Sequence, residues 1–455
     1  MTPVAIVGGG ITGLTAAFYL RRANVPVTLY ESSSRTGGMI QTIRRDGFLV
    51  EHGPNTILES GPEVPALVGD LGLKSRCLYP AAGMKARYVV RNGRAVRLPH
   101  SALGALRTPL LSLQAKVRVL GEPFVRRGIL EDEPLSSFVT RRLGLELLDY
   151  VVDPFVGGVY AGDPDRLSVA HAFPKLHELE RRYGSLIKGA ILGARGRRKR
   201  VTAPKTRAAM LTFDDGLAVL AEALQSRLGS AVLLNSIVTD VRRDESGWTI
   251  ETSAGVSRKH PAVLLCAPAH RVAEMNVGNG ARQVLAALGT IDYPPIARVA
   301  VAFRRDRIAH ALDGFGALIP RKERMNTLGI QFTSSLFPNR APGGYALMTA
   351  YLGGSRGRDV VSATDSGLIE LALIDIRKLL GVRGCPVFED VVRIPLSIPQ
   401  YNVGYGAVKD AIGKLEAQSP GVFVAGSYRD GISVANCIAG GKAASQKALR
   451  YIAHG

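Results

Sequence analysis

Residues 8–13 read Gly8-Gly9-Gly10-Ile11-Thr12-Gly13, a G-x-G-x-x-G string, and Glu31 stands 23 residues after the first glycine. Glycines at that spacing suit a dinucleotide. The first allows a tight turn, the second lets the backbone approach a pyrophosphate, and the third lets helix and strand pack closely. Ile11 and Thr12 then open a helix whose free N–H groups and partial positive charge favour phosphate. Glu31 is suited to accept hydrogen bonds from ribose hydroxyls. Positioning these groups takes a βαβ unit. The flanking sequence supplies it: 3–7 as a buried strand, 14–23 as a helical run and 25–31 as a second strand ending at Glu31.

Three later segments bear on which dinucleotide fits. Glu31-Ser32-Ser33-Ser34-Arg35-Thr36-Gly37-Gly38 continues as E-x-x-x-R-x-G-G before Met39. Glu51-His52-Gly53-Pro54-Asn55, followed by Thr56, offers a second close approach. Near the C-terminus, 422–441 reads as strand, glycine turn at Gly426-Ser427, and a helix starting near Ile432-Ser433-Val434. Separated segments around one long ligand suit FAD rather than NAD. No Cys or His lies in 422–436, so the expectation is non-covalent FAD.

The 455 residues are 46% apolar and 21% charged, which excludes a disordered chain and predicts two or three domains. Cys77, Cys266, Cys385 and Cys437 form no CxxC, so free thiols in a reducing compartment and no metal site are expected. Residues 1–20 lack charge, but no basic segment precedes them and Gly8–Gly10 interrupts them, against a leader peptide. No apolar run of 18 residues predicts a membrane span.

The net charge of +20 is concentrated. Residues 76–127 hold eleven Lys/Arg against one acid, Glu122, and 181–207 hold ten and no acid. Neither stretch carries a nucleic-acid motif or interleaved aromatics. An anionic membrane surface fits better, with Leu186, Ile187, Ile191 and Leu192 beside the run Arg197-Arg198-Lys199-Arg200.

Periodicity predicts helices across 100–200, a linker at 201–212 and a helix over 213–229. A strand meander follows over 231–255, then a buried strand at 262–268. Strands at 298–305, 328–334 and 346–354 predict a second sheet, followed by a helix from 364 to 381.

VAIVGGGITGLTAAFYL, ESSSRTGGMIQT, EHGPNTIL, DPFVGGVYAGDPDRLSV, IPQYNVGY and GVFVAGSYRDGISVANCI occur in that order between residue 3 and about 440. Through these stretches the chain resembles the flavin-containing amine-oxidase superfamily, and within it the oxygen-dependent protoporphyrinogen oxidases. The resemblance implies an α/β plus α+β fold. A discontinuous Rossmann-like FAD domain would draw on 1–78, 208–276 and 416–455. A mostly helical membrane-binding domain would take 92–207, and a mixed-sheet substrate domain 79–91 and 277–415. It further implies a cytoplasmic, peripheral-membrane homodimer in tetrapyrrole biosynthesis, removing six electrons from a porphyrinogen and reducing O2 to H2O2. Protoporphyrinogen IX is the first candidate substrate and coproporphyrinogen III the alternative; another oxidase or desaturase of the superfamily, acting on amines or carotenoids, is a further reading.

No catalytic side chain beyond the flavin is implied. Arg87 is implied as the substrate-carboxylate anchor, with Leu318, Gln331 and Tyr351 lining the ring pocket and Asn55, Gly157 and Gly158 around it. Tyr351 stands where the family usually has phenylalanine, and Gln331 where relatives often have an apolar residue. Ser32, Arg35, Gly38, Met39, Gly53, Pro54, Thr56, Val238, Gly426 and Ser427 complete the implied cofactor contacts.

Overall fold

The structure, a computed structural model, describes residues 2–81, 83–84, 86–99, 101–198, 209–245, 247–278 and 282–454. The side chains of Arg197, Arg198, Lys199 and Arg200, and most of the linker expected at 201–212, lie outside the described residues.

Short, mostly apolar runs of two to four residues become the strands of a five-stranded parallel sheet. Its order is Val232–Leu233, Val27–Tyr30, Val4–Val7, Val263–Leu265 and Val422–Val424. The central strands are buried on both faces, as parallel strands between helices must be. On one side pack the helices Ile11–Arg22, Ala218–Leu228 and Val434–His454, which share one apolar core. Sequence segments from the start, middle and end of the chain therefore meet in one layer.

A second sheet has seven strands, in the order Phe388–Ile394, Ile296–Arg304, Tyr345–Gly353, Gly329–Gln331, Gly314–Leu318, Ala86–Arg91 and Arg94–Arg97. Val299, Val301, Ala350, Leu352 and Ile330 bury one face against the helix Asp365–Leu380. On the other face Ala300, Ala302 and Leu347 pack on Phe48 and Val50, which belong to the first unit's hairpin.

The helical region runs from Ala102–Arg107 to Leu186–Arg198. Its hub is ionic. Arg142 pairs with Glu122, both fully buried. The Glu122 carboxylate also accepts from Ser185 Oγ (2.5 Å), Leu186 N (2.9 Å) and Ile187 N (3.2 Å), at the start of Leu186–Arg198.

Several boundaries differ from expectation. Met210–Phe213 is a strand bridging Ile57–Leu58 and Cys77–Leu78, so the helix expected from 213 begins at Ala218 and the linker ends before 210. Val232–Leu233 leaves the meander to edge the parallel sheet. The strand expected over 328–334 stops at Gln331, and Thr333–Leu336 is helical. Within the helical stretch expected over 100–200, one helix stops at Leu120, before Gly121 and Pro123, with one further turn at Glu122–Phe124. The domain boundary expected at 92 falls inside a hairpin, because Arg94–Arg97 pairs with Ala86–Arg91. For Met210–Phe213 and Val232–Leu233, pairing with a distant segment overrides local periodicity.

Candidate functional site

The glycine string turns from the strand Val4–Val7 into the helix Ile11–Arg22. Gly8 has φ +108°, and a Cβ there would meet the Ala267 backbone at 2.7 Å. A Cβ at Gly13 would lie 2.0 Å from the Gly8 carbonyl oxygen. At Gly10 it would meet nothing within 4 Å. The helix's first internal bond runs from Leu14 N to Gly10 O, so the N–H groups of Ile11, Thr12 and Gly13 are its orphan donors. An open backbone cradle beneath a helix N-terminus fits a pyrophosphate.

Glu31, only 8% exposed, accepts from Gly9 N at 2.6 Å and from Ser33 N at 2.8 Å. A Cβ on Gly9 would press on that carboxylate at 2.8 Å, which explains a fourth glycine where the dinucleotide spacing asks for three. Oε1 also accepts from Ser32 Oγ at 3.4 Å, and Oε2 keeps a further lone pair for a ribose hydroxyl. Val238 opens a strand just after Ser236, whose N–H bonds the Glu31 carbonyl at 2.8 Å.

The loop after Glu31 lies against the cradle. Gly37 N donates to Gly9 O at 2.8 Å, and a Cβ on Gly38 would come 3.1 Å from the Gly10 Cα. Arg35 folds back on its own loop, donating to the carbonyls of Thr36 (3.1 Å), Ile40 (3.1 Å) and Gly38 (2.9 Å). It braces the loop while Ser32, Gly38 and the large side chain of Met39 stay exposed. Gly53 abuts Met39 so closely that a Cβ would sit 1.6 Å from the Met39 oxygen. Pro54, Asn55 and Thr56 follow, half-buried.

The C-terminal turn closes on the same region. Gly426 (φ +147°) and Gly431 (φ +115°) flank the short helix Ser427–Asp430. Ile432 follows, and Ser433 Oγ accepts from Asn436 N at 3.1 Å, capping the helix that begins at Val434. That helix crosses Ile11–Arg22 at Gly441, where a Cβ would meet Thr12 O at 2.3 Å. Tyr401 and Tyr405 hold the turn from outside by hydrogen bonds to the carbonyls of Ser427 and Tyr428.

Four residues from distant segments share one face of the seven-stranded sheet. Gly329 pairs with both Leu318 and Tyr351, Leu318 with Val89, and Gly316 with Gln331. Side chains two apart on a strand point the same way. Arg87, Leu318, Gln331 and Tyr351 therefore stand on the face that packs on the hairpin bearing Phe48 and Val50. Arg87 is exposed, its guanidinium 5.7 Å from the Phe315 ring centroid, with no ion pair among the described residues. Asn55 joins the two units, its Nδ2 donating to the Tyr351 hydroxyl at 2.5 Å. Gly157 and Gly158 lie on the helix Asp153–Tyr160. A Cβ on Gly158 would strike Leu318 Cδ2 at 2.4 Å, so these glycines let helix and sheet approach. Gly157 also lines a cavity of about 290 Å³ with Leu328, Gly353 and Arg356.

Two polar features are absent from the sequence expectations. Arg298, 3% exposed, donates to Gly53 O (2.5 Å) and Asn55 Oδ1 (2.8 Å). Arg340 and Glu51 form a sealed pair at 3.1 Å. Burial raises the Glu51 carboxyl above its ordinary value despite Arg340 beside it. The visible signal for Arg298 is a charge inside the apolar strand IARVAVAF.

The sequence model of the family described as "Flavin containing amine oxidoreductase" matches residues 11–449. Protoporphyrinogen oxidase 2 of Arabidopsis thaliana is 35% identical over 99% of this chain and 94% of that protein. Coproporphyrinogen III oxidase of Bacillus subtilis is 31% identical over 99% and 98%. Among solved structures, a chain from Exiguobacterium sp. 255-15 aligns with a TM-score of 0.81 at 24% identity, covering 99% of both. Reduced UDP-galactopyranose mutase aligns at 0.75 and 17% identity, over 99% of this chain and 94% of that one. The last two are likenesses of fold.

Proposed function

The chain belongs to the flavin containing amine oxidoreductases and is an oxidoreductase; from that premise we propose that it oxidises a porphyrinogen to the porphyrin. Protoporphyrinogen IX is the substrate of first choice and coproporphyrinogen III the alternative. The observation that carries this reading is the end-to-end similarity to curated enzymes named for these two substrates. FAD, held without a covalent bond, supplies the hydride acceptor when bound, with O2 taking the electrons on as H2O2.

This chain's residues bind and orient. The orphan N–H groups of Ile11, Thr12 and Gly13 would hold the pyrophosphate, and Glu31 the ribose. The C-terminal turn and the loops at 38–39 and 53–56 would enclose the remainder. Arg87 would take a propionate in bidentate geometry, and Leu318 would support the ring. Pyrrole N–H groups shed their protons once hydride has left, so anchors are required more than bases. In this reading the parallel-sheet unit is the FAD-binding domain and the seven-stranded sheet the substrate-binding domain.

We further infer that the helical region docks on an anionic membrane surface. No helix among the described residues is long and apolar enough to cross a membrane. Yet Leu113, Val117 and Leu120 form an exposed stripe on one helix, and Phe124 (88%) and Ile129 (98%) stand beyond it. Exposed Arg107, Arg126 and Arg127 accompany them. The homodimer belongs to the same reading, with light scattering of the detergent-solubilised protein as its check.

Turnover of both porphyrinogens is to be measured side by side, by porphyrin fluorescence and oxygen uptake. Porphyrin formation with peroxide is expected, and denaturation should release FAD into the supernatant. No turnover of either porphyrinogen would overturn the reading, and flavin retained in the pellet would overturn non-covalent binding.

A further inference from the structure

Arg298 heads a chain of hydrogen bonds that runs in one direction. It lies opposite Tyr351 in the strand register. No carboxylate oxygen lies within ion-pair distance of it among the described residues, and its Nε is buried without a partner. A guanidinium has donors only. The Asn55 atom facing it at 2.8 Å must therefore be the carbonyl oxygen. The amide nitrogen of Asn55 is then turned to the Tyr351 oxygen, 2.5 Å away. The Tyr351 hydroxyl in turn donates to Gln331 Oε1 at 3.2 Å. Gln331 is left with its oxygen engaged and its Nε2 turned away from Tyr351. Nε2 has no partner among the described residues. The neighbouring Thr349 does not compete, because its hydroxyl bonds Thr333 at 2.9 Å. A charge at the head of such a chain polarises every link in one sense.

We propose that Arg298, through Asn55 and Tyr351, fixes the Gln331 amide as a hydrogen-bond donor that holds a substrate carboxylate and refuses a pyrrole N–H. The proposal rests on the porphyrinogen reading. A porphyrinogen carries donors at its centre and carboxylate acceptors at its rim, so a fixed donor selects the rim. Gln331 and Arg87 stand on strands two apart in the sheet. At about 4.8 Å per strand this separates them by roughly 10 Å. Two rim carboxylates are thus gripped at separate points, Arg87 by charge and Gln331 by direction. Gln331 is the specificity residue; Arg298, Asn55 and Tyr351 are positioning residues.

The test uses the FAD-loaded enzyme with coproporphyrinogen III, which presents a carboxylate on every pyrrole. Gln331→Leu should raise KM about five- to tenfold, the scale of one net hydrogen bond, with kcat within twofold. Tyr351→Phe removes only a hydroxyl and should raise KM similarly. In that background Gln331→Leu should add less than twofold, since the donor is no longer held. Arg298→Met also frees Gly53 and Asn55 and can cost the fold, so Tyr351→Phe carries the test. Titration of the Soret band with coproporphyrin reads binding without turnover, and Kd should follow the same pattern. Independent effects of Gln331→Leu and Tyr351→Phe would overturn the relay. A shifted flavin spectrum or reduction potential with unchanged KM would overturn it too, by placing the donor on the cofactor. Coproporphyrin binding that depends on Gln331 in an enzyme without turnover would uphold the relay and remove the assigned reaction.

Discussion

A methyl group at Gly10 meets open space, and one at Gly13 meets a carbonyl oxygen at 2.0 Å. The two glycines therefore answer to different demands, ligand and fold. Gly10 has φ −69°, which alanine adopts freely. Gly10→Ala should leave the melting temperature of flavin-free protein within a degree or two while lowering bound flavin several-fold. Gly13→Ala should lower that melting temperature outright, at a cost of about 1–3 kcal/mol for overpacking. Melting curves of the apoprotein beside flavin content by absorbance check both. Arg87 allows a second prediction at this scale. It is exposed, so solvent screens its grip on a carboxylate to about 1 kcal/mol. The contact is the same in ground and transition states. Arg87→Ala should raise KM about three- to tenfold with kcat little changed, in steady-state assays with either porphyrinogen.

Among the elements, the helix Leu186–Arg198 owes its start to a residue far away in sequence. Glu122 reads as the lone acid in a basic stretch, and the structure makes it the cap and counter-ion of the helical region. Burial works against its charge. The Ser185 hydroxyl, the Leu186 and Ile187 amides and Arg142 outweigh that and hold its carboxyl below the ordinary value. A folded carboxyl lowered in this way contributes fully above the unfolded range, near pH 4–5. Its contribution fades as pH falls through the folded value. Glu122→Ala, which leaves the buried Arg142 with Glu180 at 3.3 Å as its remaining carboxylate, should cost about 3 kcal/mol. Across pH 5 to 3 the melting temperature of the wild type should fall more steeply than that of Glu122→Gln. Thermal scans against pH read this directly; parallel slopes would exclude Glu122 as the source.

For the whole molecule, net charge and exposed apolar surface meet in the helical region. Leu113, Val117, Leu120, Phe124 and Ile129 are large apolar side chains left exposed in this basic region, and clustered exposed apolar surface marks interaction sites. Burying a Phe or Ile side chain fully is worth about 2 kcal/mol each, so Phe124→Ser with Ile129→Ser should weaken vesicle binding at least tenfold. Turnover of detergent-dispersed substrate should persist. Anionic vesicles should release the wild type as salt approaches 1 M, where the Debye length is about 3 Å. Sedimentation with phosphatidylserine vesicles across a salt series is the measurement. Equal sedimentation of wild type and double variant would remove this face from the membrane.

The glycine turn and carboxylate proposed to hold the dinucleotide were legible in the sequence because their geometry is local. Gly8, Gly10, Gly13 and Glu31 lie within one βαβ unit, and short-range spacing is all that such a unit requires. The concentration of charge and the helical character of 100–200 were equally open to reading. The residues proposed to meet the substrate were reached only through resemblance. Arg87, Leu318, Gln331 and Tyr351 come from four strands spread over more than half the chain, and only sheet register puts them on one face. Composition gave no warning that Glu122 would be sealed or that Arg298 would stand beside Asn55. The environment of a buried charge is made by residues hundreds of positions away, as Arg298 and Gly53 demonstrate. A lone acid in a basic run and a lone arginine in an apolar strand mark where desolvation must be balanced. Which partners balance it, and which way their hydrogen bonds run, is decided by the tertiary fold alone.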